Sequence, residues 1–363
     1  MISKFLHCTR KYAKRLAFLS ISTLLILLSI NHNTRQNLEE QLAEEDNWIE
    51  HLCPKYTHRD TSSDLKLEWI DPTNDTIFFT ETSCGKRFYG RQACVVETAA
   101  RHHPDKIIQL MLTSPTINQS DPIYEALLKL PNVKMSWLDL SSLYAFEPLK
   151  TWHLNRRWLM AEDRVSIFVS DSARVELLRR YGGTYLDLDV LVLRPLPAHS
   201  NFIGRLDPNQ LNGAVMSFRP HHHYITSIVN TLPKVHDPFK CCTIGPDLLT
   251  KQLHALCPDN FTLPKSTHVD AFESCTDVTV YPSPAFYPIY WLPGPDYIQS
   301  IVVMGKGLGE KFMNETKAYT LHLYNSLSQK DVIYLGGDSI LETIAKAYCP
   351  NVYKVLLTHH WAL

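Results

Sequence analysis

The stretch Ser170-Asp-Ser-Ala-Arg-Val-Glu-Leu-Leu-Arg-Arg-Tyr-Gly-Gly-Thr-Tyr-Leu-Asp-Leu-Asp189 predicts a helix, a glycine turn and a strand in that order. Its first half repeats apolar residues at helical spacing, with Ser170 as a suitable N-cap and Asp171 in the first turn. Gly182 can adopt the positive φ that ends a helix. The helix is therefore predicted to end just before a strand that carries two carboxylates.

Asp187 and Asp189 interrupt an otherwise apolar, strand-like run from Thr184 to Leu193. In an extended chain, side chains two residues apart point to the same side, so both carboxylates can bind one divalent cation. Such a cation offsets the negative charge that builds up when a diphosphate leaves. The Asp-x-Asp pattern is weak by itself and a solvent-facing strand edge is the alternative, but the apolar flanks favour a metal site.

Strand-like and helical segments alternate through the first half of the chain after residue 76. Strands are predicted at 77–80, 106–112 and 133–138, and helices at 92–102 and 122–130. This alternation is typical of a parallel, nucleotide-binding α/β sheet. After residue 233 the chain is rich in Pro, Cys and aromatic residues, which predicts loops that wrap a cleft and are held by disulfides.

The amino terminus has the pattern of a membrane signal anchor. Several basic residues precede an uncharged apolar stretch, and no small-x-small cleavage site follows Ile30. Positive charge on that flank keeps it in the cytoplasm. We predict a cytoplasmic tail at 1–15, a transmembrane anchor at 16–32, a polar lumenal stem at 33–72 and a catalytic domain at 73–363. A cleaved signal peptide is the alternative, because a span normally needs ~20 apolar residues.

Cysteine usage agrees with an oxidising lumen. All of the nine cysteines except Cys8 follow the apolar stretch, and the even remainder favours disulfides. Cys241 and Cys242 are adjacent and are expected to bond elsewhere rather than to each other. The alternative is a metal site that uses Cys242, His254 and Cys257.

Sequons of the Asn-x-Ser/Thr type predict N-glycosylation on exposed loops, as expected in the secretory pathway. They begin at Asn74, Asn118, Asn260 and Asn314.

Composition and motifs exclude several functional classes. The formal net charge is -1, from 36 Lys and Arg against 37 Asp and Glu, so no nucleic-acid partner is expected. No G-x-S-x-G, H-E-x-x-H or P-loop pattern occurs. Aspartate phosphatases also use Asp-x-Asp but need Thr or Val two positions further, where this chain has Leu191. The histidine run 221–223 is predicted to be a solvated turn.

The 170–189 stretch resembles the helix, glycine turn and Asp-x-Asp strand of the α1,4-glycosyltransferases, a family that includes lactosylceramide α1,4-galactosyltransferase and α1,4-N-acetylglucosaminyltransferase. Other segments of this chain also resemble motifs of this family. They are Phe78-Phe-Thr-Glu-Thr-Ser83, Val96-Glu-Thr-Ala-Ala-Arg101, Asn212-Gly-Ala214, Gly245-Pro-Asp-Leu-Leu-Thr250, Ala285-Phe-Tyr-Pro-Ile289 and His322-Leu-Tyr-Asn325. The resemblance implies a GT-A-type α/β fold with a mixed, mostly parallel sheet. It also implies manganese, a UDP-sugar donor, retention of anomeric configuration and a type II protein of the Golgi membrane with a lumenal catalytic domain.

Position by position, the resemblance implies roles for individual residues. Asp187 and Asp189 would be catalytic metal ligands, and His322 would complete the coordination of the metal. The residues implied to bind the UDP-sugar are Thr80, Asp171, Arg174, Tyr185, Asn212 and Gly213. Structural alternatives exist: Arg174 could pair with Glu176, and His322 could be a core histidine.

The resemblance implies transfer of galactose from UDP-galactose in α1,4 linkage to a terminal β-galactoside such as lactosylceramide. UDP-N-acetylgalactosamine and UDP-N-acetylglucosamine are alternative donors, and glycoproteins are alternative acceptors. One departure from the family favours a further alternative, a noncatalytic glycan-binding relative, and a second departure is milder because it keeps an aromatic surface. The chain reads Cys241-Cys-Thr-Ile244 where the family usually reads Trp-Gly-His-Gln, and it has Tyr324 where the family tends to have Trp.

Overall fold

The computed structural model describes residues 64–84, 88–240, 242–257, 262–263, 265–290, 301–302, 304, 307–328, 330–331, 333 and 335–363. The predicted tail, the anchor at 16–32, the stem up to residue 63, Cys241 and the sequon at Asn260 lie outside these residues. Within the part described, no helix is both long enough and apolar enough to cross a membrane.

Short strands and helices alternate along the chain. The strands are β1 (Asp64–Lys66), β2 (Ile77–Glu81), β3 (Ile108–Leu112), β4 (Thr116–Asn118), β5 (Val133–Trp137), β6 (Gly183–Leu186), β7 (Val190–Val192), β8 (Phe202–Asp207), β9 (Gln210–Phe218), β10 (Glu273–Cys275), β11 (Val278–Tyr281) and β12 (Thr320–His322). The helices are α1 (Gly90–His102), α2 (Pro122–Leu128), α3 (Leu140–Leu143), α4 (Leu149–Leu154), α5 (Val165–Tyr181), α6 (His223–Val235), α7 (Pro246–Leu256), α8 (Ser283–Phe286), α9 (Leu308–Glu315), α10 (Asn325–Ser328), α11 (Ile340–Tyr348) and α12 (Pro350–Thr358). A 3₁₀ helix, Arg157–Arg164, leads directly into α5.

Eight strands form one mixed sheet in the order β10-β11-β8-β9-β6-β2-β3-β5. Four of the neighbouring pairs are parallel, namely β11 with β8, β6 with β2, β2 with β3, and β3 with β5. The other three pairs are antiparallel. The predicted mixed, mostly parallel α/β sheet is confirmed, and β2, β3, β5, α1 and α2 match the segments expected from the alternating pattern.

The central strands β2 and β3 are buried at every position, which explains why they are apolar without alternation. Phe79 packs on one face of the sheet in a cluster with apolar residues of α1. Phe78 packs on the other face in a cluster with apolar residues of α5. Both faces are thus covered, and the open edge is the one at the carboxyl ends of the strands, where ligands bind in sheets of this kind.

Helix α5 begins at Val165, five residues earlier than predicted. Ser170 is therefore not an N-cap and Asp171 is not in the first turn; both lie inside the helix. The helix extends further back because Phe168 and Val169, each 1% exposed, continue the buried face. The predicted termination is confirmed, since the helix ends at Tyr181 and Gly182 has a φ of 68°.

The predicted single strand from Thr184 to Leu193 is wrong. It is two strands, β6 and β7, which belong to different sheets because β7 pairs with β12. Between them the Val190 N–H donates to the Asp187 carbonyl at 3.0 Å, so Asp187 and Asp189 lie on a tight turn. The two carboxylates are not adjacent on one extended strand, and the turn itself brings them together.

Residues 64–72, which the sequence pattern assigned to the stem, pack on the folded domain. Strand β1 pairs antiparallel with β4, and Leu67 is 4% exposed and donates its N–H to the Pro115 carbonyl. The ordered contacts therefore begin before residue 73. Because β4 follows the carboxyl end of β3, the chain reaches the domain at the same edge of the sheet where Asp187 lies.

Two disulfides join distant elements, as the cysteine count predicted. Cys94 in α1 bonds to Cys349 before α12, and Cys257 after α7 bonds to Cys275 in β10. Cys242 is also disulfide-bonded. The alternative metal site that would use Cys242 and Cys257 is therefore wrong, because both sulfurs are already covalently bound.

The sequon asparagines that the structure describes are exposed, at Asn74, Asn118 and Asn314. Only Asn74 lies in a loop as expected, since Asn118 ends β4 and Asn314 lies in α9.

Candidate active site

Asp187, Asp189 and His322 come together at the carboxyl edge of the sheet. One potential ligand atom of each lies within 4.8 Å of the others, and His322 Nε2 lies 3.0 Å from Asp189 Oδ1. The pairing of β12 with β7 sets this arrangement, because it places His322 opposite Val190. The Asn325 N–H then donates to Asp189 Oδ2 at 2.9 Å.

His322 and Asp189 stabilise each other's charged forms. Burial disfavours the charge on Asp189, yet the attraction of His322 and the Asn325 N–H hold the pKa of Asp189 below its ordinary value. Burial also disfavours the charge on His322, but Asp189 raises the pKa of His322 above its ordinary value. Each partner thus favours the charged form of the other.

The donor set fits a divalent cation. Two carboxylates and one imidazole are ligands that Mn²⁺, Mg²⁺ and related metals accept, and ligand atoms bound to one such ion at ~2.1 Å lie roughly 3 Å apart. The 3.0 Å separation of His322 Nε2 and Asp189 Oδ1 agrees with that spacing. His322 is thus part of the candidate metal cluster, while its burial and its ion pair with Asp189 also fit the alternative of a satisfied core histidine.

Arg174 holds the metal-side carboxylate Asp187 in place. Its Nη2 lies 3.1 Å from Asp187 Oδ1 and 3.3 Å from Asp171 Oδ1, and donates to the Ser170 hydroxyl at 2.7 Å. Burial disfavours the guanidinium charge, but the carboxylates, Asp187 first, raise the pKa of Arg174 above its ordinary value. The suggested pairing of Arg174 with Glu176 is wrong, because Glu176 pairs with Arg179 at 2.6 Å.

Tyr185 also holds the Asp187 carboxylate, through a hydrogen bond from its hydroxyl. Its hydroxyl donates to Asp187 Oδ1 at 2.5 Å, and its ring lies under the Arg174 guanidinium at 4.6 Å from the ring centroid. The hydroxyl is 3.4 Å from Thr80 Oγ1 and 3.2 Å from Ser170 Oγ. Burial raises the pKa of Tyr185, so it remains a neutral hydrogen-bond donor.

Asp171 is a buried carboxyl that stands apart from the metal cluster. Burial raises its pKa to about 6, against the opposing effect of Arg174. Gly245, at the start of α7, lies so close that a Cβ there would be 2.6 Å from Asp171 Oδ2. The glycine therefore gives the carboxyl its space.

A pocket of about 450 Å³ opens over these groups. Most of the residues predicted to bind metal or UDP-sugar line it: Thr80, Asp171, Arg174, Asp187, Asp189, Asn212, Gly213 and His322. Tyr185 lies behind Asp187 rather than on the wall. Asn212 is turned partly inward, since its Oδ1 accepts the Ala214 N–H at 2.8 Å.

The pocket also has walls that the sequence argument did not assign. They include Glu81, Ser83, Gln92, Leu249, Tyr324 and Asn325. Asn325 and Tyr324 belong to the motif that begins with His322, so that motif was a usable signal. Nothing in the sequence around Gln92 indicated a role in the pocket, because Gln92 lines the pocket only as a result of where α1 packs.

His222, His223 and Asp277 form a second group of possible ligands. His222 Nδ1 accepts the Tyr224 N–H at 3.3 Å and caps α6, while its Nε2 lies 3.0 Å from Asp277 Oδ2. A neutral imidazole that accepts through Nδ1 carries its proton on Nε2, so this group ties α6 to the β10–β11 turn. The predicted solvated turn is wrong for His222, which is 7% exposed.

Two family models match the chain. Residues 217–356 match the α1,4-glycosyltransferase conserved region, and residues 90–210 match a glycosyltransferase sugar-binding region that contains a DXD motif. Lactosylceramide 4-alpha-galactosyltransferase of Pan troglodytes is 31% identical over 291 residues, which cover 78% of each chain. Alpha-1,4-N-acetylglucosaminyltransferase of Homo sapiens is 26% identical and covers 77% of this chain and 80% of its own.

Among solved structures, the PaToxG glycosyltransferase has a TM-score of 0.40 and 14% identity, and covers 63% of this chain and 79% of its own. The 31% identity across more than two thirds of a relative, together with the model matches, shows the family of this protein. The chain belongs to the α1,4-glycosyltransferase family and is a hexosyltransferase.

Proposed function

We propose that this enzyme transfers galactose from UDP-galactose in α1,4 linkage to a terminal β-galactoside such as lactosylceramide, on a GT-A-type fold. The observation that carries the proposal is the cluster of Asp187, Asp189 and His322 in a pocket of about 450 Å³. The relative at 31% identity is a lactosylceramide galactosyltransferase, which favours this donor and acceptor. The relative at 26% identity makes UDP-N-acetylglucosamine the main alternative donor, with UDP-N-acetylgalactosamine as a third.

Asp187, Asp189 and His322 would hold a divalent cation, and manganese is our proposal for it. When bound, such a cation neutralises charge on the diphosphate of the donor. The two carboxylates differ in how they are supported. Arg174 and Tyr185 orient Asp187, whereas the Asn325 N–H orients Asp189. These contacts restrain both carboxylates before the substrate binds, which reduces the ordering that binding must bring about.

Arg174 and Asp171 would also act on the donor. Arg174 adds positive charge beside Asp187, which favours an anionic diphosphate in the pocket. Asp171 can accept hydrogen bonds from sugar hydroxyls as a carboxylate and can donate one when protonated, because its pKa is raised to about 6. Gly245 leaves room for that carboxyl, because a Cβ there would lie 2.6 Å from Asp171 Oδ2.

Retention of anomeric configuration requires either a carboxylate nucleophile or attack from the face that the diphosphate leaves. Asp187 and Asp189 belong to the metal cluster, and Asp171 pairs with Arg174. Glu81, the remaining carboxylate of the described pocket wall, accepts the Ser83 N–H at 2.9 Å. We therefore favour front-face attack, in which the acceptor hydroxyl bonds to the anomeric carbon and passes its proton to the departing phosphate oxygen.

We further propose that the enzyme is a single-pass type II protein of the Golgi membrane, with the pocket in the lumen. The basic tail and apolar stretch before residue 33, the sequons and the disulfides support this location.

The test is transfer by the full chain, purified in detergent, with manganese and each of the three UDP-sugars. Lactosylceramide and a soluble β-galactoside serve as acceptors, and the Asp189→Ala variant is the control. We expect an α1,4-linked product from UDP-galactose that needs both metal and Asp189, with the linkage read by nuclear magnetic resonance. Product from UDP-N-acetylglucosamine alone would replace the donor in the proposal. A folded protein that transfers none of the three sugars would instead support the noncatalytic relative.

A further inference from the structure

Tyr324 is a buried residue of the pocket wall whose hydroxyl has no hydrogen-bond partner among the described residues. The residue is 7% exposed, and the hydroxyl oxygen itself is buried. A buried polar group without a partner costs free energy and calls for an explanation such as a bound ligand. The same gap affects its neighbours, since His322 Nδ1 and Asn325 Oδ1 are also buried without partners.

The backbone at Tyr324 is unusual as well. Its φ is 48°, in the left-handed region that residues other than glycine, asparagine and aspartate seldom occupy. Such strain is retained where the surrounding structure demands it, and it concentrates at functional sites. Here the left-handed turn follows β12 and lets the Asn325 N–H reach Asp189. The turn also places the Tyr324 ring against His322, with the ring centroids 4.0 Å apart.

We propose that the Tyr324 hydroxyl donates a hydrogen bond to the diphosphate of the nucleotide sugar. This inference rests on the proposed function, since it is the metal cluster beside Tyr324 that calls for a diphosphate. Phosphate oxygens only accept hydrogen bonds, and a neutral hydroxyl next to a cation site is a suitable donor for them. The family tends to have Trp at this position, so the hydroxyl is a feature of this chain rather than of the pattern it resembles.

Removal of a hydroxyl that binds a ligand but does not stabilise the fold should weaken ligand binding without lowering the free energy of unfolding. Tyr324→Phe keeps the ring contact with His322 and removes only the hydroxyl, which forms no hydrogen bond with the described residues of the free protein. The variant should therefore unfold at the same or a higher denaturant concentration than the wild type, and yet bind UDP more weakly. A structural hydroxyl would show a loss of stability instead.

Tyr287→Phe is the matched control. Tyr287 is also a buried tyrosine whose ring contacts His322, at 5.7 Å between centroids, but its hydroxyl donates to the Asn212 carbonyl at 3.5 Å. It is not part of the pocket wall. Its removal should leave the affinity for UDP within about twofold of the wild type.

The experiment is titration calorimetry of the full chain with UDP and with uridine, each with manganese present. We expect Tyr324→Phe to weaken UDP about tenfold while the affinity for uridine stays unchanged, because a charge-assisted bond to phosphate is lost. Tyr324→Leu, which has no hydrogen-bond donor on its side chain, should also weaken UDP but not uridine, and decides the matter if the Phe variant does not fold. Unchanged UDP affinity in both variants, or equal weakening of UDP and uridine, would overturn the role of Tyr324 alone. Failure of the wild type to bind UDP with manganese would overturn both this role and the proposed function.

Discussion

His322 Nε2 lies 3.0 Å from Asp189 Oδ1 because strand β12 pairs antiparallel with β7. Asp189 and His322 are far apart in the sequence but adjacent in the structure. Their contact joins the turn that carries both aspartates to the last strand of the described structure, so the metal cluster forms only when β12 is in place. Loss of either partner should therefore affect metal binding before it affects the main sheet.

His322→Ala should weaken Mn²⁺ binding by more than about tenfold, since one of three protein ligands is removed. Titration followed by the electron paramagnetic resonance of free Mn²⁺ measures this directly. His254→Ala is the control, because His254 is exposed on α7 and outside the cluster. Wild-type Mn²⁺ affinity in the His322 variant would contradict the assignment of the cluster.

Arg174→Met should lower the free energy of unfolding by about 3–5 kcal/mol, because it leaves the buried Asp171 and the adjoining Asp187 without their cation. Denaturant unfolding in the presence of a chelator measures the loss. Lys129→Met is the control, since its ion pair with Glu125 is exposed and screened by solvent and should contribute little to stability. Equal effects of the two substitutions would argue against a buried charge cluster.

Asp171→Asn should change the dependence of stability on pH. Burial raises the pKa of Asp171 to about 6 from an ordinary 3.8, so the folded protein binds this proton more tightly than the unfolded chain. The resulting stabilisation is complete below about pH 4 and is lost as the pH rises through 6. The Asn variant has no such loss, and should gain roughly 2–3 kcal/mol on the wild type between pH 4 and pH 7.

Asp71 provides a control for Asp171, because its effect on the pH dependence of stability has the opposite sign. The Tyr181 hydroxyl donates to Asp71 and lowers the pKa of that carboxylate. Its contribution is present above the unfolded pKa and lost as the pH falls, so Asp71→Asn should lose stability relative to the wild type as the pH rises. Unfolding in chelator-containing buffers tests both variants, below pH 3.8 for Asp71→Asn and between about pH 4 and pH 7 for Asp171→Asn, and a curve for Asp171→Asn parallel to that of the wild type would contradict the raised pKa of Asp171.

The disulfide between Cys94 and Cys349 should stabilise the fold more than the one between Cys257 and Cys275. The first closes a separation of 255 residues and the second closes 18, so loop entropy predicts a difference of about 2 kcal/mol. Paired Cys→Ala variants of each bridge, compared by denaturant unfolding, measure it. A larger loss from the shorter bridge would show that strain or solvation outweighs chain entropy.

Much of the architecture could be predicted from the sequence because it depends on local patterns of residue type. Strand-like apolar runs identified β2 and β3, and helical spacing identified α1 and most of α5. The start of α5 was missed because Ser170 is a good cap by residue type, whereas burial of Phe168 and Val169 decides where the helix begins. Tertiary packing overrides an intrinsic preference of about 1 kcal/mol.

The sequence by itself determined the alternation of strands and helices, the two carboxylates of the Asp-x-Asp turn and the cysteines that bridge the domain, because each follows from residue type and spacing within a short segment. Only the tertiary structure decided that the chain turns between Asp187 and Asp189, that β12 brings His322 to them and that Gly245 makes room for Asp171. These contacts join residues far apart in the chain. Their geometry depends on strand pairing and burial across the whole domain, and no local periodicity contains it.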